Sequence, residues 1–294
     1  MATSMKKLTE NQLLLILQIF FILGLSFFYV SRNIFPSLEM LIALSIAVMI
    51  WRAKQRSLLI DLLPLFIMLL TFQSLRSFVD DLTPARIHIL DLITYEKFLF
   101  KGIIPAAFFQ VAFSNQPYTH VLTEILNLFY MSHFLVPVIT AIVLWYQKKE
   151  HYWYFIIGLI ALTYAGFITY IIYPAAPPWW ATKYGYLTDQ PVFLTNFFKY
   201  PTLVEFAGPN QVAAMPSLHM AYPCFICMYL FSIWGKKVLW MILLPIGVAI
   251  STLYLGHHYV VDLIAGYLYA SIIFLVTIYI KQKRDTKPEP VPIN

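Results

Sequence analysis

Residues 217–237 read SLHMAYPCFICMYLFSIWGKK, and residues 238–262 continue as VLWMILLPIGVAISTLYLGHHYVVD. Lys236 and Lys237 are the only charged side chains in this run before Asp262. Lys236 stands 17 residues after His219 and 22 before His258. At about 1.5 Å of helical rise per residue, each arm is roughly one bilayer core in length. Gly235-Lys236-Lys237 marks a turn in water between the arms. The pair is therefore a helical hairpin that crosses a membrane and returns, bringing His219 and His258 to the same face. This reading sets the fold class as all-α, a polytopic transmembrane bundle.

Composition agrees. The 294-residue chain is 60% hydrophobic and 12% charged, where soluble domains carry about a quarter charged residues. The formal net charge of +6 could suggest nucleic acid. Its Lys and Arg residues instead sit in short clusters between apolar runs, as in proteins that fix a membrane orientation, so no nucleic-acid partner is expected. Cys224 and Cys227 form a C-x-x-C inside an apolar segment and read as small packing residues rather than a redox pair.

Apolar runs of about 20 residues recur at roughly 12–31, 35–51, 57–75, 123–146, 152–173, 213–234, 238–256 and 260–280, giving about eight spans. The first lacks the cleavage site of a signal peptide. With the N-terminus cytoplasmic, Lys6, Lys7, Arg52, Lys54, Arg56, Lys148, Lys149, Lys236, Lys237, Lys281, Lys283, Arg284 and Lys287 fall on one side. Fewer basic residues, spread over longer loops, fall on the other, so both termini are expected in the cytoplasm. The half-length apolar stretch Phe98–Phe113, interrupted by Lys101, Gly102 and Pro105, reads as an interfacial or re-entrant helix on the outer side. The organisation expected is an N-terminal transmembrane part over 1–76, a catalytic membrane domain over 77–280 and a disordered cytoplasmic tail over 281–294.

Polar residues able to do chemistry are rare in such a chain, so their positions carry information. His258 and Asp262 are i and i+4, on one helix face. A carboxylate there can fix the imidazole tautomer and leave the other nitrogen nucleophilic. His219, on the same outer face, is available as an acid and base. The fifth span delivers Tyr173-Pro-Ala-Ala-Pro-Pro-Trp-Trp180 there too. The plain alternative is three polar residues at a water interface with no common role.

These residues resemble the type 2 phosphatidic acid phosphatase (PAP2) superfamily, which includes vanadium haloperoxidases. The family's Pro-Ser-Gly-His motif appears as Pro216-Ser217-Leu218-His219. Its Ser-Arg-x5-His-x3-Asp motif appears as Ser251-Thr252, His258 and Asp262. Its first motif, Lys-x6-Arg-Pro, is missing. The Tyr173–Trp180 stretch and Tyr130-Met-Ser-His133-Phe-Leu-Val-Pro137 look like the inositol phosphorylceramide synthase (aureobasidin-resistance) branch and its prokaryotic relatives. The resemblance covers roughly residues 90–280 and implies a six-helix catalytic core, with His258 as nucleophile, Asp262 as its orienting partner and His219 as general acid–base.

The departures point further. Thr252 stands where the phosphatases have Arg, and the first-motif cations are absent. A phosphomonoester dianion needs several fixed cations, and a phosphodiester headgroup with one charge needs fewer. The chain therefore reads as a lipid phosphotransferase that moves a phospho-headgroup, inositol phosphate among them, between membrane lipids through a phosphohistidine. Alternatives are a PAP2-type lipid phosphate phosphatase and a non-catalytic transporter or binding protein. No metal or cofactor is called for, since the two histidines and the aspartate suffice for covalent catalysis. Oligomeric state is not legible.

Candidate lipid contacts are Ser217, Ser251, Tyr173, Trp179, Trp180, Lys183 and His133. Ser217 and the first amides of the sixth span suit phosphate oxygens. Trp179 and Trp180 could wall a headgroup pocket, although interfacial anchoring is the plainer reading. Lys183, Lys199 and Arg86 could supply replacement charge, or be ordinary loop cations. His133, with Glu124 and Asn127 before it, either reaches the cavity or bonds helix to helix. His257 points about 100° away from His258 and reads as a supporting residue.

Overall fold

The computed structural model describes residues 56–82, 87–114, 116–195 and 211–286. The spans expected at 12–31 and 35–51 lie outside the described residues. Nine α-helices are described: α1 (Arg56–Leu82), α2 (Leu90–Leu99), α3 (Pro105–Phe113), α4 (Thr119–Gln147), α5 (Lys149–Ile172), α6 (Pro178–Lys183), α7 (Leu218–Trp234), α8 (Leu243–Tyr254) and α9 (Val260–Asp285). A 3-10 segment, Gly235–Ile242, joins α7 to α8. Among the described residues there is no strand longer than an isolated bridge.

Four helical runs among the described residues are long and apolar enough to cross a membrane: Thr119–Gln147, Lys149–Ile172, Leu218–Tyr254 and Val260–Asp285. The third is the folded-back run of α7, the 3-10 segment and α8. Its reversal is made at Gly235, whose φ of 60° and ψ of −141° suit only glycine, and whose amide closes α7 on the Phe231 carbonyl. Ile157, Ile172, Leu128 and Leu275 point outward and are more than half exposed, as hydrocarbon-facing positions should be.

The bundle core joins α1, α4, α5 and α7 through Leu62, Leu65, Ala141, Leu144, Phe155, Leu159, Phe225 and Tyr229. A second core lies at the other end, where Leu92, Ile104, Ala175, Leu187, Tyr259 and Val261 cluster. There three extended segments are stitched side by side. The His88 amide donates to the Pro174 carbonyl at 2.8 Å, Ala176 to His88 at 2.9 Å, Ala175 to Val212 at 2.9 Å and Ala214 to Ala175 at 2.9 Å. Alanines at 175, 176, 213 and 214 allow this close approach. The stitching also explains why α7 begins at Leu218, later than the apolar run suggests: residues 212–214 are committed to it.

The outer apolar stretch breaks where expected. Lys101 and Gly102 both have positive φ, 52° and 92°, separating α2 from α3, and Pro105 opens α3. At the other end α9 runs past Ile280 to Asp285. Lys281 pairs with Asp285 at 2.5 Å, and Lys283 and Arg284 favour the helix C-terminus. Residues 287–294 lie outside the described residues.

Candidate active site

Two helix starts and one turn place the central residues. Ser217 caps α7, its Oγ accepting from the Met220 amide at 3.3 Å, and His219 follows in the first turn. Between α8 and α9 the chain doubles back on Thr252, whose carbonyl accepts the amides of His257 and His258 at 2.9 and 3.3 Å. Gly256 makes the bend with φ 84°. Thr252, where the resemblance expects Arg, is itself buried and donates its hydroxyl to the Ala249 carbonyl at 3.1 Å. The position is part of the turn.

The two elements are locked together by a direct bond from the Ser217 amide to the Asp262 carbonyl, 3.0 Å. One turn along α9, Gly266 packs against the same serine. As a result His219 Nδ1 lies 2.8 Å from His258 Nε2, and His258 Nδ1 lies 3.4 Å from Asp262 Oδ2. That carboxylate oxygen also accepts the Tyr259 amide at 2.8 Å. His258 and Asp262 are buried. Burial pushes the His258 imidazole down to about 3 against the opposing pull of the Ala214 carbonyl, so the ring is neutral near pH 7. A neutral ring with Nδ1 towards a carboxylate carries its proton there and presents a lone pair at Nε2. His219 then donates from Nδ1 across the 2.8 Å contact.

Aromatic rings hold the pair from the side. Tyr130, on α4, packs against both His219 (centroids 4.9 Å, 29° between planes) and His257 (4.7 Å, 17°), whose own rings are 6.1 Å apart, so the three rings form one cluster. His133, one turn on, meets His219 edge to face at 4.2 Å and bonds through Nδ1 to the Tyr130 carbonyl. His133 therefore reaches the site. The two polar residues before it on α4 are engaged elsewhere. Asn127 donates to the Thr123 carbonyl at 2.7 Å, and Glu124 faces His120 at 3.7 Å. His257 is partly buried, and burial together with its neighbour His258 holds it down to about 3.

The remaining candidates lie around this centre in different ways. Ser217 is fully buried and occupied as a helix cap. Ser251 is fully buried and donates to the Leu126 carbonyl at 2.6 Å, tying α8 to α4. Trp179 reaches the histidine turn through its own amide, which donates to the Gly256 carbonyl at 3.3 Å. The indole nitrogens of Trp179 and Trp180 are buried without a hydrogen-bond partner among the described residues. Lys183 is exposed, its ammonium 5.3 Å from the Tyr184 ring. Arg86 and Lys199 lie outside the described residues. Tyr173 donates its hydroxyl to Asp91 Oδ2 at 2.5 Å and stacks on His88 at 3.7 Å, while His88 Nδ1 meets the same carboxylate oxygen at 2.6 Å.

Asp91 and His88, and with them Glu96 on α2, carry no signal in the sequence that ties them to the histidines. Glu96 is buried and holds the first amides of α9. Acids in an interfacial helix read as solvated, and only the tertiary packing of α2 on α9 turns one inward. Among the described residues no group of three or more His, Cys, Asp or Glu side chains is arranged to hold a metal ion.

Comparison with known proteins gives the family. A 155-residue stretch is 28% identical to the phosphoinositol dihydroceramide synthase of Bacteroides thetaiotaomicron, covering 48% of this chain and 50% of that relative. The chain thus spans about half the length of that curated protein. No solved structure gives a significant match. The PAP2 superfamily model matches residues 91–276, which takes in most of α2, the Tyr130 ring cluster, the histidine pair and most of α9. An all-helical integral membrane chain with that match belongs to the PAP2 superfamily.

Proposed function

We propose that this protein is a membrane lipid phosphotransferase that carries a phospho-headgroup from one lipid to another on His258. The observation that carries the reading is the chain of contacts Asp262–His258–His219, with 3.4 Å between the first pair and 2.8 Å between the second. As the His219 Nδ1–H turns from it, His258 Nε2 attacks the phosphorus of a phosphodiester lipid, and the bond to the departing alcohol oxygen breaks. His219 gives that oxygen its proton. Asp262 stabilises the charge that develops on the His258 ring. An acceptor hydroxyl then loses its proton to His219 and takes the phosphoryl group, restoring His258. The relative's name supports a phosphoinositol headgroup and a dihydroceramide acceptor as the first substrates to try. By the Lys and Arg distribution, both termini face the cytoplasm and the histidine pair faces the opposite side.

The test supplies purified protein with headgroup-labelled phosphatidylinositol, with and without dihydroceramide. A labelled sphingolipid that appears only with the acceptor supports transfer. Free headgroup phosphate formed equally in both arms would instead mean a phosphatase, in which water resolves the intermediate. Label trapped on His258 would exclude a non-catalytic binding protein or transporter.

A further inference from the structure

Glu96 takes no part in the scheme above, yet it is fully buried beside the reacting turn. Its Oε1 accepts from the Val260 amide at 2.9 Å and its Oε2 from the Val261 amide at 3.2 Å. These are the first two residues of α9. The amide before them, on Tyr259, is taken by Asp262 Oδ2 at 2.8 Å. Two carboxylates therefore close the N-terminus of α9, one from the helix itself and one from α2. With those amides filled, a phosphate cannot use this helix start.

The source of the cap matters. An ordinary helix is capped by a Ser, Thr, Asn or Asp at its own N-cap, a purely local device. Here that position is Tyr259, Asp262 takes only the Tyr259 amide, and the next two amides are capped from a segment 164 residues earlier in the chain. His258 and Asp262 lie on either side of the amides Glu96 holds. A shift of this turn along the helix axis would alter the His258–Asp262 contact, which at 3.4 Å has little length to spare. Of the charged and titratable groups, Asp262 and Tyr259 face Glu96 from α9, and the Tyr259 hydroxyl is buried without a partner among the described residues. On its own helix Lys97 is turned to Asp189 at 2.6 Å. Burial drives the Glu96 carboxyl up to about 7, with the Val260 and Val261 amides pulling it down and Asp262 pushing it further up.

We propose that Glu96 is a positioning residue for the histidine pair: from α2 it fixes the first turn of α9, and through that turn the register of Asp262 against His258. The proposal rests on the phosphohistidine reading. Glu96→Gln and Glu96→Leu test it, purified in detergent and compared with wild type by three readouts. These are melting temperature, phosphorylation of His258 by phosphatidylinositol over a concentration series, and the nitrogen NMR shifts of the His258 ring. Glu96→Gln keeps one acceptor, and its kcat should fall about tenfold with KM within about twofold, a barrier change of about 1.4 kcal/mol. Glu96→Leu should lose about a hundredfold. In both the His258 signals should move from a single Nδ1–H tautomer towards a mixture. Folded variants with wild-type kcat and an unchanged ring spectrum would overturn the proposal. So would loss of the fold in both, which would make Glu96 structural only. If wild type never forms phosphohistidine, the functional reading fails separately, and the ring spectra still decide what Glu96 does.

Discussion

Gly266 faces Ser217 so closely that a Cβ on it would stand 2.3 Å from the serine carbonyl oxygen. Backbone cannot give way as a side-chain tip can, so helices α7 and α9 meet here at their limit. Gly266→Ala should drive them apart just where the Ser217 amide bonds to Asp262 and the two histidines meet. The expected cost is about 1–3 kcal/mol of stability, together with at least about a tenfold loss of transfer. Thermal melts and initial rates in the same detergent check both. An alanine variant with wild-type melting and rate would show that the contact is looser than described.

Asp262→Asn separates capping from catalysis. An asparagine oxygen can still accept the Tyr259 amide, so the melting temperature should change by only a few degrees. Its amide group no longer favours the proton on His258 Nδ1, and the rate should fall by about a thousandfold. Recovery of most of the activity in this variant would remove the carboxylate from the reaction.

The ring cluster around Tyr130 gives a graded pair of variants. Tyr130→Phe keeps the ring packed against His219 and His257 and should retain the rate within about threefold. Tyr130→Leu removes the stacks, each worth about 0.5–1.5 kcal/mol, and should lose about tenfold or more. Equal losses in the two would assign the effect to the hydroxyl instead.

Acid should destabilise the site through its histidines. His257 and His258 sit near 3 in the fold against 6.5 when exposed, so the unfolded chain binds protons that the folded chain refuses. Their contribution is whole above pH 6.5 and is lost as pH falls from there towards 3. Glu96 acts in the opposite sense. Its carboxyl near 7 in the fold, against 4.5 exposed, lets the folded state hold a proton the unfolded state releases between those values. Melting temperatures from about pH 5 to 8 should show a shallower acid loss in His257→Gln and a steeper one in Glu96→Gln than in wild type. Parallel curves would refute the assignment.

Much of this centre was legible because it is built from short-range pattern. The i, i+4 spacing of His258 and Asp262, the charge-free arms on either side of Gly235 and the lengths of those arms all depend on local geometry. They set the meeting of His219 with His258 before any packing was known. His133 was visible as a polar residue in an apolar helix, though not the ring cluster it belongs to. Ser217 and Ser251 show the limit of motif reading: one hydroxyl is spent on a helix cap and the other on a bond between helices. Glu96, Asp91 and His88 were out of reach, because what makes them matter is the docking of the outer layer on α9 and on the residue 174–176 segment. No periodicity records that.

The bond between the Ser217 amide and the Asp262 carbonyl has a consequence for biosynthesis. Ser217, His219, His258 and Asp262 are met in that order as the chain is made, and none of the contacts among them exists until the last has been released and the start of α9 has docked. A nascent chain held before that point already carries α1 to α8, yet its His258 lacks Asp262. The reactivity towards lipid proposed above thus arrives only once the start of α9 has docked, and a product that stops short of α9 lacks it.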